Sequence, residues 1–123
     1  LTAMLTNHAA NTLELNTGEL VPGKKADILV IKNKNGKANE WFNHNPEDVC
    51  LVIQQGNIRL FDASLLPQIN RYNINLALYT PVRIGNVIKY VEGNLPLLIS
   101  NIQQYYKQLP LPFSAVQEKM AVA

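Results

Sequence analysis

Two Gly-Asn pairs, Gly56-Asn57 and Gly85-Asn86, each lie between two short apolar segments. Glycine at the first central position of a two-residue loop suits a type II′ turn, whose twist matches that of paired antiparallel strands. The pattern therefore predicts two β-hairpins with the same turn chemistry, although the sequence contains no true repeat. The predicted strands are Val49–Gln54 with Ile58–Ala63, and Val82–Ile84 with Val87–Val91.

The first third of the chain predicts a helix followed by a strand. Residues 1–15 place Leu1, Met4, Leu5, Ala9 and Leu13 on one helical face, and Asn16-Thr17-Gly18 can supply a left-handed cap. Pro22-Gly23 favours a type II turn. The strand Ala26–Lys32 is apolar on both faces at residues 28–31, so we expect it in the interior of a sheet.

The remaining segments complete an order of helix, five or six strands, and helix. Residues 33–48 are a polar loop that Trp41 and Phe42 could anchor, and Asn45–Asp48 predicts a turn into the next strand. Alternating Ile74, Leu76 and Leu78 predict a further strand with one buried face. A second helix begins after the N-cap Asn94, carries Pro96 in its first turn and ends at Pro110 and Pro112. The tail over 111–123 that follows is expected to be extended or loose. Its apolar stripe is Leu95, Leu98, Ile99, Ile102, Tyr105 or Tyr106, and Leu109. The fold class is therefore α+β, mainly β.

Composition excludes several classes of partner. Apolar residues make up 47% and charged residues 16% of the chain, which suits a packed core rather than a disordered chain. The net charge is +2 with scattered Lys and Arg, so we expect no nucleic-acid partner. Apolar runs fall short of the ~20 residues that span a bilayer, so we expect no membrane partner. The single cysteine, Cys50, cannot form an internal disulfide, and we expect a buried, inert thiol in a cytoplasmic protein.

Candidate chemical groups do not combine into a site. The two histidines lie in different segments and lack a metal-ligand spacing, and each serine lacks an activating partner. Two adjacent carboxylates should diverge into water, and the glycines fit no phosphate-binding motif. The groups considered are His8, His44, Ser64, Ser100, Ser114, Glu47, Asp48, Gly18, Gly23 and Gly36. The sequence therefore predicts no catalytic, cofactor-binding or metal-binding residue in this chain.

Two stretches resemble the C-terminal part of the amidohydrolase superfamily. Leu5–Ala10 precedes Gly18–Ile31, which carries the pattern G-x-L-x-P-G-K-x-A-D-I, and Pro46–Ile58 resembles the hairpin that follows in that family. The likeness covers about residues 3–63. His8 departs from it, because family members often have proline there. The resemblance does not extend to residues 67–123.

The resemblance implies a C-terminal fragment of a metal-dependent hydrolase of the deaminase or chlorohydrolase type, which acts on non-peptide C–N bonds. It implies that residues 1–16 are the last helix of a (β/α)8 barrel, 17–92 the C-terminal half of a composite β-sandwich, and 93–123 a C-terminal helix and tail. Zinc or another divalent metal would be held by barrel residues upstream of Leu1, and none of those ligands can be assigned here. Asp27 would be structural, bonding nearby backbone N–H groups or a lysine.

Two hypotheses follow for the chain itself. In the first it is a non-catalytic part of such a hydrolase, and its partner is the barrel of the same protein. In the second it is a stand-alone β-rich interaction or oligomerisation module. Because Leu1 already lies within a helical pattern, we expect the chain to continue upstream. An uncovered helix stripe and unpaired sheet edges predict that the isolated chain forms homo-oligomers.

Overall fold

An open antiparallel sheet forms the centre of the fold in the computed structural model, which describes residues 2–34, 43–108 and 110–116. Five strands and a two-residue sixth lie in the order β1-β2-β3-β5-β4-β6, and every pairing is antiparallel. The strands are β1 Ile28–Ile31, β2 Val49–Gln54, β3 Asn57–Asp62, β4 Tyr79–Ile84, β5 Val87–Glu92 and β6 Ser114–Ala115. The helices are α1 Thr2–Leu5, α2 Asn7–Thr12, α3 Leu66–Asn70 and α4 Leu95–Tyr105. The predicted α+β, mainly β class is confirmed.

Both hairpins form, but the first turn lies one residue earlier than predicted. Gln54 pairs with Asn57, so the central residues are Gln55 and Gly56, with φ of 51° and 82°. Two positive φ values define a type I′ turn, and the expected type II′ turn at Gly56-Asn57 is wrong. In the second hairpin Ile84 pairs with Val87 around Gly85-Asn86, and only Gly85 of the two has a positive φ, as predicted.

The predicted helix over residues 1–15 is two short helices. Thr6 has φ −122° and ψ −101°, which interrupts the helix between α1 and α2. Glu14, with φ 53°, supplies the left-handed residue after α2, and Leu15 N–H donates to Ala10 O at 2.8 Å. This closing bond is that of a Schellman motif, so the cap lies earlier than the Asn16–Gly18 segment proposed for it.

The strand β1 lies at the edge of the sheet, and the expectation of an interior strand is wrong. It pairs only with β2, and Leu29 and Val30 are 55% and 40% exposed. Apolar residues on both faces of a strand indicate that other parts of the fold can cover both faces. They do not indicate whether another strand pairs along each of its two edges. No second strand flanks β1 within the three described ranges.

The segment after Pro67 differs most from the predictions. Residues 66–70 form α3, which was not predicted, and Leu76–Leu78 form a 3-10 turn where a strand was expected. The Asn75 side chain accepts from Ala77 N–H at 3.1 Å, and this local bond competes with an extended ladder. The predicted turn at Asn45–Asp48 is confirmed as a 3-10 turn over Pro46–Asp48. Trp41, Phe42 and Gly36 fall outside the described residues.

The second helix begins as predicted and ends earlier. Asn94 caps α4 by accepting from Leu97 N–H at 3.1 Å, with Pro96 in the first turn. The helix stops at Tyr105, before Pro110, and Tyr105 and Tyr106 at its end are 82% and 67% exposed. Residues 114–115 belong to the tail that was expected to be extended or loose, and they are extended and pair with β4 as β6.

An aromatic cluster forms the core on one face of the sheet. Phe61 is fully buried, stacks on Tyr90 with ring centroids 5.0 Å apart, and meets Tyr79 edge-on at 5.3 Å. The Tyr79 hydroxyl donates to Ile58 O at 2.9 Å, so its polar end is satisfied. These contacts join β3, β4 and β5, and they hold together residues that are distant in sequence.

Candidate functional site

A buried lysine cluster occupies the face of the sheet opposite the aromatic core. The side chain of Lys89 on β5 is fully buried. Its ammonium donates to Asp62 Oδ2 at 3.0 Å, to Glu47 O at 3.0 Å and to Val49 O at 2.5 Å. An ammonium has three protons, and all three have acceptors here. The amine is therefore fully occupied in joining β5, the end of β3 and the turn before β2, and it is not available as a nucleophile or base.

The Asp62 carboxylate accepts hydrogen bonds from two groups in this cluster. One carboxylate oxygen accepts from Lys89, and the other accepts from Ser64 N–H at 3.0 Å at the start of the 3-10 turn Ala63–Leu65. Burial alone would raise the pKa of Asp62, but the hydrogen bonds from Ser64 and Lys89 outweigh it and hold the pKa below its usual value. Asp62 is therefore ionised at neutral pH and compensates the buried ammonium.

Asp48 is buried, which corrects the expectation that Glu47 and Asp48 both stay in water. It is 6% exposed, and its carboxylate accepts from Lys34 Nζ at 2.5 Å and from Asn45 N–H at 2.8 Å. The hydrogen bond from Lys34 has the largest effect and that from Asn45 N–H the next largest, and together they hold the pKa of Asp48 below its usual value. Glu47 is half-buried, and it contributes its backbone carbonyl to Lys89. The Asp48 carboxylate is therefore engaged by Lys34 and Asn45, whereas the described hydrogen bond to Glu47 goes to its backbone carbonyl.

Asp27 links the segment before β1 to the tip of the first hairpin. Its Oδ1 accepts from Gln55 N–H and its Oδ2 from the Thr17 hydroxyl, both at 2.7 Å. Ala26 O accepts from Gly56 N–H at 3.0 Å, beside the first of these bonds. The expectation that Asp27 bonds nearby backbone N–H groups agrees with this geometry. The Gln55 N–H and then the Thr17 hydroxyl hold the pKa of Asp27 below its usual value.

Gly18 allows α2 to pack closely against the segment that carries Thr17 and Asp27. A Cβ at Gly18 would lie 2.7 Å from the Ala10 Cβ and 2.9 Å from Thr6 O, and Gly18 has φ of 86°. Only glycine allows this close approach together with a positive φ. The predicted Pro22-Gly23 turn is present, since Gly23 has φ of 88° and Lys24 N–H donates to Val21 O at 3.3 Å. The segment 18–27 therefore connects α2 to the start of β1 through short contacts.

The helices leave an open, mainly apolar depression that we call the N-terminal groove. It is lined by Leu5, Thr6, Ala9, Ala10, Leu13, Leu15, Thr17, Gly18 and Asp27. Leu5 and Leu13 are each 67% exposed and Leu15 is 50% exposed. Nearby Met4 and Leu20 are 65% and 76% exposed. Contiguous exposed apolar surface of this kind marks contact sites, so the groove is the candidate functional site.

The other candidate groups from the sequence lie apart from one another. His8 is exposed on α2, where a packed or half-exposed residue was expected, and His44 is half-buried before the Pro46–Asp48 turn. Cys50 is half-buried rather than buried, with its thiol 3.6 Å from Asp48 O. Ser100 and Ser114 are exposed, and Ser64 lies beside Asp62.

Across residues 2–34, 43–108 and 110–116, no three His, Cys, Asp or Glu side chains converge in a way that could hold a metal ion.

The sequence analysis did not single out Lys89 or Asp62 as site residues. A signal was present, because Lys89 is the one charged residue between Val87 and Val91 in an otherwise apolar strand. An ionised residue on the buried face of a strand requires a partner of opposite charge. The partner could not be identified, since Asp62 lies 27 residues away.

The comparisons with known proteins identify no relative. No protein-family model, curated protein or solved structure matches this chain. None of the helices in the described part of the chain is long and apolar enough to cross a bilayer.

We expect the stability of the Asp27→Asn variant to change less on acidification than the stability of the wild type. The folded-state pKa of Asp27 is lowered, so its stabilising contribution is present above its unfolded pKa of about 4 and is lost as the pH falls through the folded value. The variant should be less stable than the wild type at pH 7, and this difference in stability should shrink as the pH falls through the folded-state pKa of Asp27. Urea unfolding followed by circular dichroism from pH 7 to pH 2 measures this difference.

The matched control is Glu19→Gln, which neutralises an exposed carboxylate in the same loop. Because Glu19 is exposed, this variant should be as stable as the wild type at pH 7. An Asp27→Asn curve parallel to the wild-type curve over the whole range would contradict the assigned role of Asp27.

Proposed function

We propose that this chain is a structural, non-catalytic part of an amidohydrolase-like metal-dependent hydrolase that acts on non-peptide C–N bonds. The observation that carries the proposal is the N-terminal groove, an exposed apolar surface held at a fixed position beside the sheet. In the proposed protein, this groove packs against the barrel of the same polypeptide. The finer assignment to the C-terminal half of a composite β-sandwich belongs to the same proposal.

The residues that carry the family resemblance act together in the structure. Gly18 allows close contact with α2, Pro22-Gly23 turns the chain, and Asp27 bonds both Thr17 and the Gln55 turn. The motif therefore connects a pair of helices to a sheet by short, specific contacts. This is the task expected of a segment that leads from one structural unit to the next, and it supports the proposal.

The chemistry of the proposed hydrolase would lie outside this chain. A bound divalent metal lowers the pKa of its water and supplies hydroxide for attack on the substrate. Asp27, Asp48 and Asp62 each accept hydrogen bonds from neighbouring backbone, hydroxyl or lysine groups. We therefore assign no catalytic step to its residues, and its contribution is to cover and stabilise the barrel.

The coding sequence upstream of Leu1 tests the proposal directly. We expect it to encode alternating strands and helices with a His-x-His pair in the first strand and an aspartate at the end of the last. A start codon immediately before Leu1 would contradict the proposal and favour the stand-alone interaction module.

An activity measurement provides a second test. We expect the purified 123-residue chain with added Zn²⁺ to show no hydrolysis of cyclic amides or amino-substituted heterocycles above a metal-only blank. Metal-dependent turnover that disappears on denaturation would show that the chain is catalytic by itself, and the structural role would be wrong.

A further inference from the structure

We propose that two copies of this chain pair antiparallel along the outer edge of β1, centred on Val30, and so form one continuous sheet. This inference goes beyond the proposed function and does not depend on it. It concerns the 123-residue chain by itself, and it names the surface through which that chain self-associates.

Within the described ranges, β2 is the strand that pairs with β1, and the hydrogen bonds on that side define which backbone groups of β1 point outward. Ala26 O accepts from Gly56 N–H and Lys32 N–H donates to Asp48 O, so the even-numbered residues bond toward the first hairpin. The irregularity in the β1–β2 ladder skips Cys50 on β2 and leaves β1 regular. Since backbone groups alternate along an antiparallel strand, the N–H and C=O of Leu29 and Ile31 point outward.

The two edges of the sheet are protected differently. At the far edge, Pro81 in β4 removes a backbone donor, and the two-residue strand β6 pairs with Val82 and Arg83 of β4. Short edge strands and proline are common protections against unwanted pairing. The segment Ile28–Ile31 contains no charge and no proline, and it exposes Leu29 and Val30 on opposite faces. The edge at β1 is therefore the one suited to accept another strand.

The pairing geometry and the charges select a second copy in the antiparallel direction. With Val30 opposite Val30 of the second copy, Leu29 lies opposite Ile31 of that copy, and all of their outward N–H and C=O groups find partners. Lys32 then lies opposite Ile28 of the second copy. A parallel pairing in register would instead place two Lys32 side chains next to each other, which is destabilising.

The outer edge of β1 is held in place by contacts within one chain, before a second copy binds. Ala26 and Lys32 bond to the first hairpin on either side of β1, and Asp27 fixes the strand start to Gln55. A strand that is already ordered loses little conformational freedom on pairing, which favours association.

The test is the mass of the chain in solution, measured by light scattering at micromolar concentration. We expect twice the 13.8 kDa of one chain for the wild type. Leu29→Pro removes an outward N–H but leaves intact the hydrogen bonds that the even-numbered residues of β1 make with β2. We therefore expect this variant to have the mass of one chain and the same far-ultraviolet circular dichroism spectrum as the wild type. Leu29→Ala keeps the N–H and should remain a dimer. A monomeric wild type, or a Leu29→Pro variant that remains dimeric, would overturn the proposal.

Cross-linking covers the case in which Leu29→Pro fails to fold. Residues opposite each other in a pair without mutual hydrogen bonds have Cα atoms about 4.5 Å apart, which is within the range of a disulfide. In a Cys50→Ser background, Val30→Cys should form a covalent dimer on mild oxidation. Leu20→Cys, at the 76% exposed Leu20 outside β1, should not. Equal cross-linking of the two variants would show non-specific association only and would overturn the assignment to β1.

Discussion

Replacing Lys89 by methionine should lower the free energy of unfolding by about 3–5 kcal/mol, which is the usual cost of removing one partner from a buried ion pair. Methionine has a similar length and fills the space of the lysine stem. It cannot donate, so the Asp62 carboxylate, Glu47 O and Val49 O would each lose a hydrogen bond. Because Asp62 is 6% exposed, its charge would remain buried without compensation.

A second substitution separates this charge effect from a loss of packing. Asp62→Asn removes the negative charge but keeps an oxygen that can accept from Ser64 N–H. The Lys89→Met/Asp62→Asn double variant should therefore be more stable than Lys89→Met alone. Urea unfolding of the four proteins at one fixed protein concentration gives the coupling energy, which we expect to exceed about 1 kcal/mol.

The matched control is Lys107→Met, the same substitution at an exposed site after α4. It should change the free energy of unfolding by less than about 0.5 kcal/mol. If Lys89→Met were as harmless as Lys107→Met, the buried cluster would not contribute to stability, and its assignment as a structural anchor would be wrong.

Replacing Phe61 by alanine should cost about 3–5 kcal/mol, because it leaves a cavity in the core. Phe61 is fully buried between Tyr90, whose ring is parallel within 6°, and Tyr79, whose ring meets it at 67°. The ring thus joins three strands, and its loss should weaken both the β3–β5 pairing and the packing of Tyr79. Near-ultraviolet circular dichroism should lose intensity, since the environment of both tyrosines changes.

Two further variants show whether the effect is specific. Phe61→Leu keeps most of the apolar volume but removes the ring contacts, each worth about 0.5–1.5 kcal/mol, so it should cost less than alanine. Tyr72→Ala removes an aromatic side chain that is 78% exposed and should cost less than about 0.5 kcal/mol. A Phe61→Ala protein as stable as Tyr72→Ala would contradict the placement of the core at Phe61.

Local features of the fold were predictable from the sequence, including most of the two hairpins. The Pro22-Gly23 turn, the turn at Pro46–Asp48 and the Asn94 cap depend on residues a few positions apart, and each is present. The turn at Gln55-Gly56 shows the limit of this reasoning. The pair Gly56-Asn57 fits a type II′ turn by composition. However, Gln55 N–H donates to Asp27 and Gly56 N–H donates to Ala26 O, which favours the register one residue earlier.

The candidate site was predictable in part. The apolar stripe of residues 1–15 and the structural role of Asp27 came from the sequence. The interruption at Thr6, the contact of Gly18 with Ala10 and the position of the groove required the structure. The family resemblance remains a prediction, and the upstream coding sequence is its direct test.

The sequence by itself determined where the two hairpins and the strand Ile28–Ile31 lie, because turn chemistry and apolar patterning act over short distances. The tertiary structure alone decided that β3 pairs with β5, that Lys89 lies buried against Asp62, and that β1 is an edge. These features depend on contacts between segments about 20 to 40 residues apart. Such contacts are decided by how the whole chain packs, since a strand's own residues do not specify its distant neighbour.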